Sequence, residues 1–247
     1  MVDVAHIIPR SPDDPPPPPP WWRRRWLAGV LAVAVVVGGG LWVWKPWWSL
    51  EIPQSACWSV LSKDDLTPLA GEYGEVFDIV PRARMLTPMS PEEALIRSTS
   101  CRIGWRGDDG DRGWLLSVDV TAAWDGIDAD RAQDASRGQR VAALDFGPGS
   151  VGLATTGEDH RVRLYVRCDF QVPTGDDPKR KAPQYFRVDV GSDELYASSP
   201  AKGRQAYGDI ALKIARVAVA EYQCGNQVQL PVSAPVVPDL PKEKADG

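Results

Sequence analysis

Histidine is nearly missing from this chain: there are two, His6 and His160, in 247 residues. That scarcity removes the commonest general base and the commonest transition-metal ligand, so no Ser–His–Asp, Cys–His or multi-histidine metal site is expected. Cysteine is sparse as well. Cys57, Cys101, Cys168 and Cys224 show no C-x-x-C spacing, which argues against a zinc ribbon or a thioredoxin-like site. Net positive charge is lacking too. The formal charge is −5, and an acidic domain does not attract nucleic acid.

Some runs look like motifs but lack the surroundings that would make them work. "GPGSVG", at 147–152, matches G-x-G-x-x-G, yet "LATTGEDHRV" follows, which is strand and turn. A phosphate site needs a helix N-terminus there, so the glycines read as a turn. Ser150 makes no nucleophile elbow, because Pro148 rather than Gly stands two residues before it. "DDGDRG", with Asp108, Asp109 and Asp111, lacks the ligand spread and closing Glu of a calcium loop and reads as a solvated hairpin tip. A glycosidase-type carboxylate pair stays open, since its spacing is a three-dimensional fact. The sequence thus assigns no catalytic, cofactor-binding or metal residue.

What the chain does have is tryptophan and one long apolar run. Of 11 Trp, Trp21, Trp22, Trp26, Trp42, Trp44, Trp47 and Trp48 flank or close "LAGVLAVAVVVGGGL". From Trp26 to Trp44 no residue is charged, and a helix of that length covers about 28 Å, close to the roughly 30 Å bilayer core. A cleaved signal peptide has a shorter apolar region and a small-x-small cleavage site. Here the run ends in bulky indoles, which resemble aromatic belts at the two headgroup levels. "QSAC" is a poor lipobox, because Gln54 replaces the aliphatic residue and Cys57 lies well past the run. "RRRWLAG" lacks the residues that surround a twin-arginine pair.

Arg10, Arg23, Arg24 and Arg25 precede the run and Lys45 alone follows closely, so the N-terminus is expected in the cytoplasm and the remainder outside. Ala28/Ala32 and Ala34/Gly38 leave room for a second helix, which opens a route to a homodimer. The expected plan is a Pro-rich, basic cytoplasmic tail over 1–25, a transmembrane helix over 26–44 and a tether over 45–56. An extracytoplasmic domain over 57–225 and a disordered Pro-rich tail over 226–247 complete it.

Inside the domain, "RVRLYVRCDF" alternates Val162, Leu164, Val166, Cys168 and Phe170 with Arg161, Arg163, Tyr165, Arg167 and Asp169, a half-buried strand. The arginine face reads as solvated and paired with nearby Asp, and Lys179–Lys181 as a basic loop. "YFRVDV", "CRIGW" and "WLLSVDV" repeat the alternation, the last two as a hairpin. Ser62 and Asp65 resemble the cap of a short helix over "KDDLTPLA", Ser90 and Pro91 open another, and Tyr207, Ile210, Ala211, Ile214, Val217 and Ala218 make the stripe of a long one. The fold class is α+β: an antiparallel sheet with helices packed on one face, preceded by a single transmembrane helix.

An even cysteine count in an exported domain favours two disulfides, here Cys57–Cys101 and Cys168–Cys224, since each then ties a helix terminus to a strand. "CWSVLSKDDLTPLAG" followed by "SCRIGW" resembles uncharacterised actinobacterial envelope proteins, in which a Cys precedes a short helix ending in Gly and a second Cys lies on a strand. That resemblance implies an envelope location and carries over no functional residue. The expected function is binding or assembly at the cell envelope, with the lipid bilayer and a membrane or cell-wall component as partners. The alternative is an envelope hydrolase or glycan-modifying enzyme whose carboxylate pair shares a groove with Trp105, Trp114 or Trp124.

Overall fold

The computed structural model describes residues 21–44, 50–82, 98–107, 112–156, 160–170, 183–192, 194–222 and 224–239. They fall in two units, 1–47 and 48–247. The first contains helix α1, Trp21–Trp44, 24 residues long. Its large apolar side chains, among them Trp26, Leu31, Val33 and Val36, are exposed, whereas a helix apolar all round its axis normally buries that surface in a core or a bilayer. Arg25 lies over the Trp21 ring at 4.4 Å.

The second unit is built on an eight-stranded sheet. In chain order its strands are β1 (Leu50–Glu51), β4 (Gly74–Arg82), β5 (Thr99–Arg106), β6 (Arg112–Ala122), β7 (Arg140–Asp145), β8 (Ser150–Thr156), β9 (His160–Arg167) and β10 (Tyr185–Ser192). Their spatial order is β1-β4-β5-β6-β10-β9-β8-β7, with a small separate hairpin of β2 (Ser55–Ala56) and β3 (Leu61–Ser62). Only β1 with β4 is parallel. The class is α+β with a large, mostly antiparallel sheet.

Alternation puts Ile103, Leu116, Val118, Val120, Val162, Leu164, Val166, Phe186, Val188 and Val190 into one core. A long helix, Pro200–Tyr222, closes that face with the expected stripe, Tyr207, Ile210, Ala211, Ile214 and Ala218 buried and Val217 partly so. Tyr222 meets Phe186 edge-on at 5.2 Å between ring centroids. The short helix α2 (Lys63–Leu66) runs into a 3-10 turn, Thr67–Leu69, and the Asp65 carboxylate caps it by accepting the Ser62 N–H and hydroxyl, each at 2.7 Å. Lys213 of the long helix donates to the same carboxylate at 2.5 Å, tying the two helices together. The helix expected from Ser90 and Pro91 and the basic loop at Lys179–Lys181 lie outside the described residues.

Three expectations need correction. Helices do not occupy one face only. A further helix, α3 (Gly126–Ser136), lies across the opposite face, where Asp130 and Asp134 meet residues that alternate away from the main core. Strand β9 is therefore buried on both sides over Val162–Val166, Arg163 and Tyr165 included, while Arg167 stays exposed. The long helix just described is α4. Finally, the segment after Cys224 is aperiodic but packed: residues 224–239 run back along α4. Arg216 donates to the Pro231 and Val232 carbonyls, Gln205 bonds the Pro235 carbonyl and the Val237 N–H, and Arg204 pairs with Asp239 at 3.2 Å. Val237 is buried over Gly208, where a Cβ would come within 2.9 Å of it.

Both disulfides form in the expected pairing, with Cα separations of 5.5 Å for Cys57–Cys101 and 4.8 Å for Cys168–Cys224. Cys57, Trp58 and Ser59 have φ of 46°, 61° and 64°, a left-handed turn closed by the Val60 N–H on the Cys57 carbonyl at 3.1 Å. Such backbone costs about 1–2 kcal/mol per non-glycine residue. The bridge to β5 holds the turn in place.

Candidate functional site

The unusual chemistry of this domain lies between α3 and the sheet. A docked helix normally buries an apolar stripe. The buried residues of α3 are Asp130 and Asp134, one turn apart on a single face. Beneath them, β9 contributes Arg163 and Tyr165, and β10 contributes Arg187 and Asp189, with Asp189 opposite Arg163 and Arg187 opposite Tyr165 in register.

Arg163 donates from Nη1 to Asp134 at 2.5 Å and from Nε to Asp189 at 3.0 Å. Burial alone would lower its pKa, but the Asp134 and Asp189 carboxylates outweigh that and hold the guanidinium charged. Asp130 accepts from Arg187 Nη1 at 2.8 Å and from the Tyr165 hydroxyl in a short bond. Burial would raise Asp130, yet Tyr165 and Arg187 together hold it below the usual carboxylate range. Burial first, and then the bond to Asp130, pushes the Tyr165 phenol up. A small apolar cluster of Ala123, Leu153 and Tyr165, flanked by Ile127, Val141 and Tyr185, completes the contact.

The network continues along the sheet. Asp119 on β6 stands opposite Asp189 in register. Burial raises its pKa, and the facing Asp189 carboxylate raises it further. Arg161 reaches Asp189 at 3.9 Å, and Arg102 attracts Asp119 from β5. The arrangement binds and orients oxyanions by charge-assisted hydrogen bonds. It offers no nucleophile beside a base. Among the described residues no group of His, Cys, Asp and Glu is placed to hold a metal ion.

The residues singled out from sequence are scattered. Cys57, Cys101 and Cys168 are buried and Cys224 partly so, in two separate bridges. Of the anchor set, Trp26 is exposed and Arg25 stacks on Trp21. Arg23, Arg24, Trp42 and Trp44 are helical in backbone, while Trp47 and Trp48 lie outside the described residues. "GPGSVG" is the β7–β8 turn, with Gly147 and Gly149 at positive φ and strand β8 after it. The tip of "DDGDRG" is outside the described residues. Trp105 is buried in the core, Trp114 lies beneath Arg102 at 5.6 Å, and Trp124 is 45% exposed. Sequence reasoning missed Asp130 and Asp134. The signal was there in aspartates four apart, followed by strands carrying alternating arginines.

Among the described residues no helix is long and apolar enough to cross a membrane. Comparison with known protein families, with curated proteins and with solved structures finds no match to this chain.

Proposed function

We propose that the chain is a single-pass anchored protein whose disulfide-braced domain works outside the cytoplasm, in binding or assembly at the cell envelope. The observation that carries this reading is the pair of disulfides in one domain, since such bridges persist in oxidising compartments and are rare in the cytosol. The anchor is α1. Its exposed side chains over residues 25–39 are continuous in sequence with "GLWVW", and its uncharged stretch, residues 26–44, would reach about 28 Å. Arg23, Arg24 and Arg25 in its first turns, ahead of the uncharged stretch, favour an N-terminus in the cytoplasm. Partners are the bilayer and an envelope component. The hydrolase reading is weaker, because Trp105 is core and the facing carboxylates Asp119 and Asp189 are tied to arginines.

Alkaline carbonate extraction, combined with protease added to intact cells stripped of wall, tests the proposal. The protein should stay in the membrane pellet and lose its domain to the protease. Release into the carbonate supernatant would refute the anchor, and protection from the protease in a pelleted protein would refute the topology.

A further inference from the structure

The geometry points to an oxyanion-binding site on the sheet, formed by Arg163, Arg187 and Tyr165, which α3 fills from within the chain using Asp130 and Asp134. Three observations carry it. The first is that α3 docks through carboxylates, not an apolar stripe, so what the sheet offers beneath it is oxyanion recognition. The second is preorganisation. Asp189 takes Nε of Arg163 and leaves Nη1 directed at α3, and Arg187 Nε is buried with no hydrogen-bond partner among the described residues, a donor that α3 does not use. The third is charge. Arg102, Arg161, Arg163 and Arg187 are matched by Asp119, Asp130, Asp134 and Asp189. With α3 lifted, Asp119 and Asp189 alone remain, and the surface keeps an excess of two positive charges.

The ligand that replaces α3 is therefore a dianionic oxyanion of the phosphate-monoester type, which carries about −1.5 to −2 at neutral pH and can accept from a guanidinium fork and a phenol together. Opening requires the chain to swing at the two ends of α3. Gly126 and Gly138 stand there at φ of 78° and 69°, with open space where a Cβ would be. Displacing the aspartates exposes charges that need a partner, so ligand binding and helix release are coupled. The site does not depend on where the chain resides.

The test uses the full chain in detergent and inorganic phosphate as the probe, against chloride at equal ionic strength. D130N/D134N should show a thermal midpoint that rises with phosphate and saturates, several-fold more than wild type. Adding R187Q to that variant should abolish the response. An absent response, or an equal one in all three proteins, would overturn the site. Should D130N/D134N be unfolded in both salts, hydrogen exchange of the wild type decides. Phosphate that speeds exchange selectively in α3 supports the site, and unchanged α3 exchange refutes it.

Discussion

Replacing Asp134 with Leu removes one of the two carboxylates that hold Arg163, while the guanidinium stays buried. Breaking a buried pair by deleting one partner costs roughly 3–5 kcal/mol, because the remaining charge is left uncompensated. Asp189 stays within 3.0 Å of Nε, so the lower end applies, about 3 kcal/mol. For a domain of this size each kcal/mol moves the midpoint by about 2–4 °C, which gives a fall of about 6–12 °C. The pair must also be non-additive. D134L/R163M should cost less than the sum of D134L and R163M, since both single changes break the same Asp134–Arg163 ion pair. Thermal unfolding followed by far-UV circular dichroism near neutral pH measures all four proteins of the cycle. A D134L shift under about 1 °C, or single-variant effects that simply add, would refute the view that α3 is held by this network.

Other consequences can be checked beside it. Replacing Cys168 and Cys224 together by Ser should destabilise by about 4 kcal/mol on the chain-entropy model, given a separation of 56 residues, and Cys57 with Cys101 by a similar amount at 44, read from denaturant midpoints. Gly208→Val places methyls where Val237 now sits, so residues 225–239 should become protease-sensitive while the core survives, at a cost of about 1–3 kcal/mol. Asp119→Asn should raise the midpoint at neutral pH. With a folded pKa above the ordinary 3.8, the aspartate's contribution is fully present only below that value and is lost as pH rises through the folded pKa, so the gain from Asn should fade on acidification.

How much of this was legible in the sequence varied with the kind of interaction. Strands β9 and β10 and helix α4 announced themselves because apolar residues recur with period 2 or 3.6, which is what burial against one core demands. The cysteine pairing was legible because each Cys sat next to a readable element. Helix α3 was not, since its buried face is Asp130 and Asp134, residues that look solvent-facing until Arg163 and Arg187 are brought under them. The same blindness made Arg163 look solvated, although the pairing of the β9 arginines with aspartates, and the exposure of Arg167, follow the sequence reading. The packed course of residues 224–239 was hidden for another reason: it is held by Arg204, Gln205 and Arg216 of α4, largely through its backbone, and by the space above Gly208. Nothing in "CWS" announces three left-handed residues in a row.

The most direct test of the whole account is thiol trapping in living cells: rapid acid quench, then a mass-tagged maleimide with and without prior reduction. The account predicts no tagged cysteine before reduction and four afterwards, in protein recovered from the membrane fraction. Four cysteines tagged without reduction would place the domain in a reducing compartment and contradict the proposed function at its root.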